Sequence, residues 1–410
     1  MSGAPRIVLV MPRFPAQSET FLAAKVAGLL ARGLDVHVVC QEEVRSGWEH
    51  HKGVLSHDAM ASRVHVLPAA RPRIAVPFRA LAGVARALVR APGTTLGYLR
   101  RRLVAADGGW RRVYRELPIV ALRPDVVHFE FGALAPASMG LGHALERPIT
   151  LSFRGYDICY SQLGNAGFYD PVWQHAARIH VLGEDLWQRA LARGCPADMP
   201  HTFISPAVDT TRFAQGAREG NDDASSLRLV SVGRLHWKKG HEIGLVALKA
   251  LHARGVAAHW TIVGDGPQRA AIAFAIEELG LGEHVDLVGT VAPEAVRRQL
   301  DAADVFFHPS VSEGFCNAVL EAQAMGLPIV TTDAEGLPEN IEHGTTGLVA
   351  PRRDPHALAD ALEALATDPD LRRRMGEAGP RRVAAHFGWD DHLARWEEFY
   401  RSVLPSATVP

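Results

Sequence analysis

Glu313 and Glu321 lie eight positions apart in 310-SVSEGFCNAVLEAQAMGLPIV-330, one acid just before a helical pattern and the second inside it. At 1.5 Å of rise per residue that spacing is about 12 Å along a helix axis. A helix starting near Cys316 turns its unpaired N–H groups and the positive end of its dipole toward the preceding loop, an arrangement that favours phosphate. Glu313 is then placed to accept hydrogen bonds from hydroxyls on one side of that phosphate, and Glu321 from hydroxyls on the other. A nucleotide sugar has this layout: sugar, diphosphate, ribose. The same pair also fits an N-terminal glutamate followed by a solvated helix glutamate.

Two further segments carry phosphate chemistry. In 227-LRLVSVG followed by 233-GRLHWKKG, Gly233 permits a tight turn, and Arg234 and Lys239 follow a strand end just before a helix. Cations there suit a diphosphate, Arg as a fork and Lys as a point charge. A solvated basic turn is the plain alternative. Gly264 in 263-VGDGP opens a glycine turn without the full dinucleotide fingerprint.

Short buried runs must position these residues. The first series is 6-RIVLVM, 35-DVHVVC, 63-RVHVLP, 125-DVVHFEF, 149-ITLSFRG and 178-RIHVLG. The second is 227-LRLVSVG, 259-HWTIVGDG, 284-HVDLVGTV, 303-ADVFFHPS and 328-PIVTTD. Helical patterns at 20–32, 185–194, 241–254, 267–280, 317–326 and 355–366 separate them. Alternation of this kind predicts βαβ units, and two series predict two doubly wound α/β domains facing across a cleft, with ligands beyond the carboxyl ends of the strands. The 410 residues fit two domains of roughly 200 residues each. The expected division is 1–206 and 207–388, the seam lying near 205-SPAVDTTRF and the polar patch 216-GAREGNDDASS. An aromatic helix at 389–404 (Trp389, Trp396, Phe399, Tyr400) is expected to pack back on the first domain.

Together the segments 232-VGRLHWKKG, 263-VGDGP, 309-PSVSEGFCNAVLEAQAMGLPIV, 336-GLPENIEHGTTGLVAP and 387-FGWDDHLARWEEFY resemble the retaining glycosyltransferases of family 4, which have the GT-B fold. The match covers nearly all of the second half. It implies that Arg234 and Lys239 hold the donor diphosphate, Glu313 meets the donor sugar and Glu321 the ribose. Gly233, Gly264, Gly314, Phe315, Cys316, Asn317 and Ala318 line the donor site, with the base near Val291 in 289-GTVAP. In the first half, 14-FPAQSETFLAAKVAGLLARGLDVHVV is similar to the exopolysaccharide and colanic-acid branch. Ser18, Glu19 and Thr20 are expected on the acceptor side, Ser18 as helix N-cap. The family often has His-x-His where this chain has 128-HFEFG, and His-Gly-x-Asp where it has 153-FRGYDI. His128, Glu130 and Asp157 are thus expected along the cleft. Arg154 takes the place of a sugar-contacting histidine, and Glu130 and Arg154 are expected to pair. The implied activity is retaining transfer from a UDP- or GDP-linked sugar to a glycan, lipid-linked, in exopolysaccharide or cell-surface polysaccharide synthesis. A soluble small-molecule acceptor is the alternative. No metal and no other cofactor is expected, since cations and a helix dipole serve the leaving phosphate.

Other classes fit less well. A nicotinamide dehydrogenase needs Gly-x-Gly-x-x-Gly after a strand and an acid about twenty residues on, and neither half has both. A glycosidase needs two carboxylates roughly 5–9 Å apart and has no use for the phosphate cations. A non-catalytic nucleotide-sugar-binding module differs from the enzyme only in turnover.

Net charge is −1, yet residues 71–115 hold eleven arginines and one acid, Asp107, so the rest of the chain sums to −11. In 76-VPFRALAGVARALVR, Phe78, Leu81, Ala85 and Leu88 share one helical face and Arg79, Arg86 and Arg90 another. Two readings stand: an anionic membrane surface, or a core helix with a solvated arginine face. Nucleic acid fits poorly, since the overall pI is near neutral. With no apolar run of eighteen residues, no room for a signal peptide and four scattered cysteines, a cytoplasmic protein is expected, peripheral on the membrane if the basic segment docks.

Overall fold

A computed structural model describes residues 4–16, 19–67, 76–104, 109–214, 216 and 226–405. The chain divides into two units. One takes the chain up to Leu182, Leu186–Ile204 and everything from Leu393. The other takes Gly183–Asp185 and Ser205–His392.

The first unit is built on seven parallel strands: β1 (Arg6–Phe14), β2 (Asp35–Glu43), β3 (Val64–Val66), β4 (Val126–Phe129), β5 (Ile149–Phe153), β6 (Arg178–Val181) and β7 (His201–Phe203). Their order is β3-β2-β1-β4-β5-β6-β7. Between them run α1 (Thr20–Ala31), α2 (Arg45–His50), α3 (His57–Met60), α4 (Val76–Arg90), α5 (Pro92–Val104), α6 (Trp110–Ala121), α7 (Gly140–Leu145), α8 (Tyr156–Cys159), α9 (Asp170–His175) and α10 (Glu184–Ala192). β4 and β5 are buried at every residue, as strands covered on both faces must be.

The second unit has six parallel strands, β8 (Leu227–Val232), β9 (Ala258–Val263), β10 (Val285–Gly289), β11 (Val305–His308), β12 (Ile329–Thr332) and β13 (Gly347–Ala350), ordered β10-β9-β8-β11-β12-β13. Its helices are α11 (His241–Ala253), α12 (Arg269–Leu279), α13 (Pro293–Asp301), α14 (Asn317–Ala324), α15 (Leu337–Asn340), α16 (Pro355–Thr367) and α17 (Pro369–His386). A final helix, α18 (Trp389–Arg401), returns to the first unit from Leu393 onward.

Strands β7 and β13 were not foreseen. 201-HTF and 347-GLVA are too short for alternation to register, and their pairing with β6 and β12 makes them strands. Residues 217–225 of the polar patch lie outside the described residues.

Candidate functional site

The first cluster forms at the carboxyl ends of β8 and β11. β8 runs through Gly233 and Arg234 into a short helical turn, Trp237–Lys239, which ends at Gly240. Gly240 sits at φ +64°, and a Cβ there would lie 2.0 Å from the Pro309 carbonyl oxygen, so only glycine allows this approach. Val311 N and Ser310 Oγ each donate to the Lys238 carbonyl at 2.7 Å, stitching the loop after β11 onto the lysine turn. The stitch brings the Lys239 ammonium onto Glu313 Oε2. Arg234 stays exposed.

Glu313 is part-buried, with His308 Nε2 at 3.8 Å, and His308 also contacts Cys316 Sγ at 3.5 Å. Burial alone would raise the Glu313 carboxyl, but Lys239 and His308 outweigh it and hold it near 2. Burial would lower Lys239, and Glu313 with Cys316 raises it instead. Cys316, which burial alone would raise, is lowered by His308 and Lys239. His308, Glu313 and Cys316 each bring one ligand atom to within 4.8 Å of the others. A cation seated there would face the Lys239 ammonium already on Glu313, so charge opposes a metal at this point.

Cys316 is the N-cap of α14 and makes no side-chain capping bond. Asn340, the last residue of α15, does the anchoring: its Oδ1 accepts from Cys316 N at 3.1 Å and its Nδ2 donates to Cys316 O at 3.0 Å. Arg382 Nη1 donates to the Asn340 carbonyl at 2.7 Å. The Cys316 side chain does not cap the first-turn N–H groups of this clamped helix start, and uncapped N–H groups at a helix start favour an anion.

Glu321 lies within α14, part-buried, and burial raises its carboxyl to about 7 despite Arg212. Phe315 is buried against Phe387, while Gly314, Asn317 and Ala318 are part-buried at the helix start. Gly264 N donates to the Gly289 carbonyl at 2.9 Å, and Gly233 N to Val263 at 2.9 Å, so the turns after β8, β9 and β10 converge. Val291 follows two residues past Gly289, part-buried, before α13.

The first unit holds a second cluster. Glu130 follows β4, and Arg154 follows β5. Arg154 Nη2 donates to Glu130 Oε2 at 2.5 Å, and its Nε to the Glu130 carbonyl at 3.0 Å, which is the expected pair. The guanidinium lies 4.6 Å from the centre of the Phe21 ring. Lys25 of α1, not foreseen, completes a triad: its Nζ donates to Glu130 Oε1 at 2.7 Å and sits 3.1 Å from the centre of the Trp396 indole. Burial would raise Glu130, but Lys25 and Arg154 together keep it well below the usual carboxylate range. Burial pulls Lys25 down to about 7 in spite of Glu130.

Two of the residues expected along the cleft, His128 and Asp157, are buried and held by hydrogen bonds within the first unit. His128 is fully buried beside Trp396 and Tyr400, its ring nitrogens on Thr150 Oγ1 (2.9 Å) and Ser152 Oγ (3.0 Å), and burial lowers it far enough to stay neutral. Asp157 is buried and accepts from the backbone N–H of Gly132, Arg154 and Ile158, so it shapes the turn after β5. Ser18 lies outside the described residues. The N-cap of α1 is Glu19, which makes no side-chain capping bond, and Thr20 opens the helix exposed. Glu19 Oε2 is buried without a hydrogen-bond partner among the described residues, and burial raises its carboxyl against the pull of Arg13 and Arg154.

Lys25, His308 and Asn340 thus escaped sequence reasoning. Lys25 reads as one more position on an apolar helix. His308 had a usable signal, a polar residue closing a buried strand five positions before Glu313.

Comparison with known proteins follows the same lines. The sequence profile described as "Glycosyl transferases group 1" matches residues 217–382. A protein of Escherichia coli K12 named "Putative colanic acid biosynthesis glycosyltransferase WcaL" is 30% identical over 374 residues, covering 86% of this chain and 88% of the relative. The "Amylovoran biosynthesis glycosyltransferase AmsK" of Erwinia amylovora is 29% identical over 382 residues, covering 89% and 90%. Among solved structures, Anabaena Alr3699/HepE in complex with UDP superposes with a TM-score of 0.72 at 15% identity, over 97% of this chain and 100% of that one, which speaks for the fold alone. With two parallel Rossmann-like sheets of GT-B type and this extent of identity, the chain belongs to the group 1 glycosyl transferases, family 4, and is a nucleotide-sugar-dependent, retaining glycosyltransferase.

Proposed function

We propose that the chain moves a glycosyl unit from a uridine or guanosine diphosphate sugar to a lipid-linked glycan during assembly of a bacterial exopolysaccharide or cell-surface polysaccharide. The observation that carries the donor half is Lys239 paired with Glu313 beside the anchored start of α14. In this reading the bond between the anomeric carbon and the donor phosphate oxygen breaks as the acceptor oxygen bonds the same face of that carbon. The acceptor proton passes to the leaving phosphate. Negative charge grows on that phosphate, and Arg234, Lys239 and the α14 N–H groups stabilise it. Glu313 orients the sugar and stabilises positive charge on its ring, and Glu321 accepts from the ribose hydroxyls. The turns carrying Gly264 and Val291 take the base. Glu19, with one carboxylate oxygen unpartnered among the described residues, takes an acceptor hydroxyl, and Arg154 presents its remaining N–H groups beside it. The names of the Escherichia and Erwinia relatives support the polysaccharide setting. Residues 71–115 seat the enzyme on an anionic membrane. No helix among the described residues is long and apolar enough to cross one.

The test is thermal stabilisation by UDP, GDP, ADP and their common sugars, with and without EDTA. One nucleotide diphosphate at a hundred times its Kd should add about 2.7 kcal/mol, unchanged by EDTA and lost in Lys239→Ala. No stabilisation by any of them overturns the donor site. Stabilisation that EDTA abolishes overturns metal-free binding.

A further inference from the structure

α4 carries its side chains the wrong way round for a core helix. The positions it buries are small, Ala80 and Ala87, while Phe78, Leu81 and Val89 are 72%, 55% and 86% exposed. Leu103 and Val104 of α5 and Trp110 of α6 are exposed as well. A globular surface seldom leaves this many large apolar side chains in one three-helix segment in water. Phe78 and Leu81 of the expected apolar face meet solvent, while Leu88 of the same face is half-buried.

Beside that apolar stripe lies a cavity of about 610 Å³, walled by α4, α6 and β3. Arg79, Arg86 and Arg90 enter it from one stripe of α4, at spacings of seven and four residues. Tyr114 and Leu117 of α6 form an apolar wall, and His65 of β3 lines it too. Among the described residues no carboxylate lines the cavity. Burial and Arg90 hold the His65 imidazole below its usual range. The Arg86 and Arg90 guanidiniums, on a cavity with no acid among its described lining residues, call for an anion with several oxygens, and the guanidinium fork matches phosphate. Apolar side chains immediately outside call for hydrocarbon next to that phosphate. The two features together describe an amphiphile.

We propose that the cavity between α4, α6 and β3 seats the phosphate of a lipid headgroup, with Phe78, Leu81 and Val89 entering the boundary between headgroups and acyl chains. Polar contact and apolar insertion then act together, as two weak membrane signals must. The proposal rests on the membrane part of the function proposed above. It needs no nucleotide, so a failure of donor binding leaves it standing.

Vesicle flotation of the full chain tests it. Vesicles of phosphatidylcholine doped with phosphatidic acid are compared with vesicles of matched surface charge doped with oleic acid. Arg86→Gln/Arg90→Gln is compared with Arg100→Gln/Arg111→Gln, an equal charge change on exposed residues outside the cavity. Circular dichroism and nucleotide-induced stabilisation serve as checks that each variant is folded. The expected result is stronger binding to phosphatidic acid than to oleic acid, and a loss in the cavity variant at least tenfold greater than in the control variant. Phe78→Ser/Leu81→Ser should weaken binding to both vesicle types. Equal losses in the two arginine variants, or equal binding to both vesicles, overturns the cavity and leaves only generic surface charge. No flotation of the parent chain overturns the cavity and the membrane reading together. Displacement by inorganic phosphate at concentrations comparable to the lipid overturns the lipid source in favour of a free anion.

Discussion

Lys239 and Glu313 neutralise each other, and the pair is a store of charge as much as a contact. Part-buried ions that lose their partner are costly. Lys239→Ala should therefore lose nucleotide binding and also destabilise the second unit by about 2–3 kcal/mol, read by chemical denaturation. Lys239→Ala/Glu313→Gln should recover part of the stability and none of the binding. Glu321 offers a pH signature. Its folded carboxyl titrates near 7 against an ordinary 4.5, so between those values the folded chain holds a proton that the unfolded chain has released. Its contribution to stability is therefore fullest below about 4.5 and is lost as pH rises toward 7. Glu321→Gln should remove that decline, on the order of 1–2 kcal/mol after allowance for its part exposure, measured as the difference in unfolding midpoint from parent across pH 5 to 8. A difference flat with pH would show that Glu321 titrates normally. In the first unit Glu130 has two cations, so losing one is not equivalent to losing the other. Lys25 is the more deeply buried, and Lys25→Ala should cost about 3–5 kcal/mol, Arg154→Ala less. Glu130→Ala combined with Arg154→Ala should cost less than their sum. Additive losses would dissolve the triad into independent contacts.

Helix α14 is short and carries no side-chain cap of its own, so its position depends on α15. Asn340 satisfies both backbone groups of Cys316 in a buried setting. Asn340→Ala leaves Cys316 N unmet and its carbonyl with only the Leu320 N–H at 3.4 Å, a cost of about 1–3 kcal/mol, and frees the helix start that the donor phosphate is proposed to meet. Nucleotide affinity should fall at least tenfold in calorimetric titration, with Asn340→Asp recovering part of the anchoring through Cys316 N. Full affinity in Asn340→Ala would mean that the α14 N-terminus is not the anion site. The same dependence on a neighbour governs the lysine turn, which Pro309 and Val311 hold through Gly240.

The chain's last helix belongs to its first sheet. From Leu393 onward α18 lies against α1, β4 and β6: Leu393 fills the space over Gly28, and Trp396 contacts Lys25, His128 and His180. Residues separated by more than two hundred positions thus share one core, and the first unit cannot be complete until α18 is made. Trp396→Ala should destabilise that unit by about 3–5 kcal/mol, because the lost indole exposes Lys25 and two neutral histidines as well as leaving a cavity. Hydrogen exchange would localise the effect: faster exchange in β4 and β6 with β8 and β11 unchanged is expected, and uniform acceleration would contradict it.

The two parallel sheets and the basic turn at Arg234 and Lys239 were legible in the sequence. Buried parallel strands write long apolar runs, and glycine turns with cations at their ends are local features. The Glu130–Arg154 pair was legible because both residues end neighbouring strands. What tertiary structure alone decided is which polar residues are buried and which partners they meet. His128 and Asp157 looked like cleft residues, and hydrogen bonds from Thr150, Ser152 and three backbone amides claim them for the core. Lys25 and Asn340 looked ordinary, and only long-range packing sets them on Glu130 and Cys316. The short strands β7 and β13 and the outward apolar face of α4 have the same cause. Periodicity records that a residue has an apolar or polar neighbourhood along its own element, whereas burial and partner depend on elements far away in the chain.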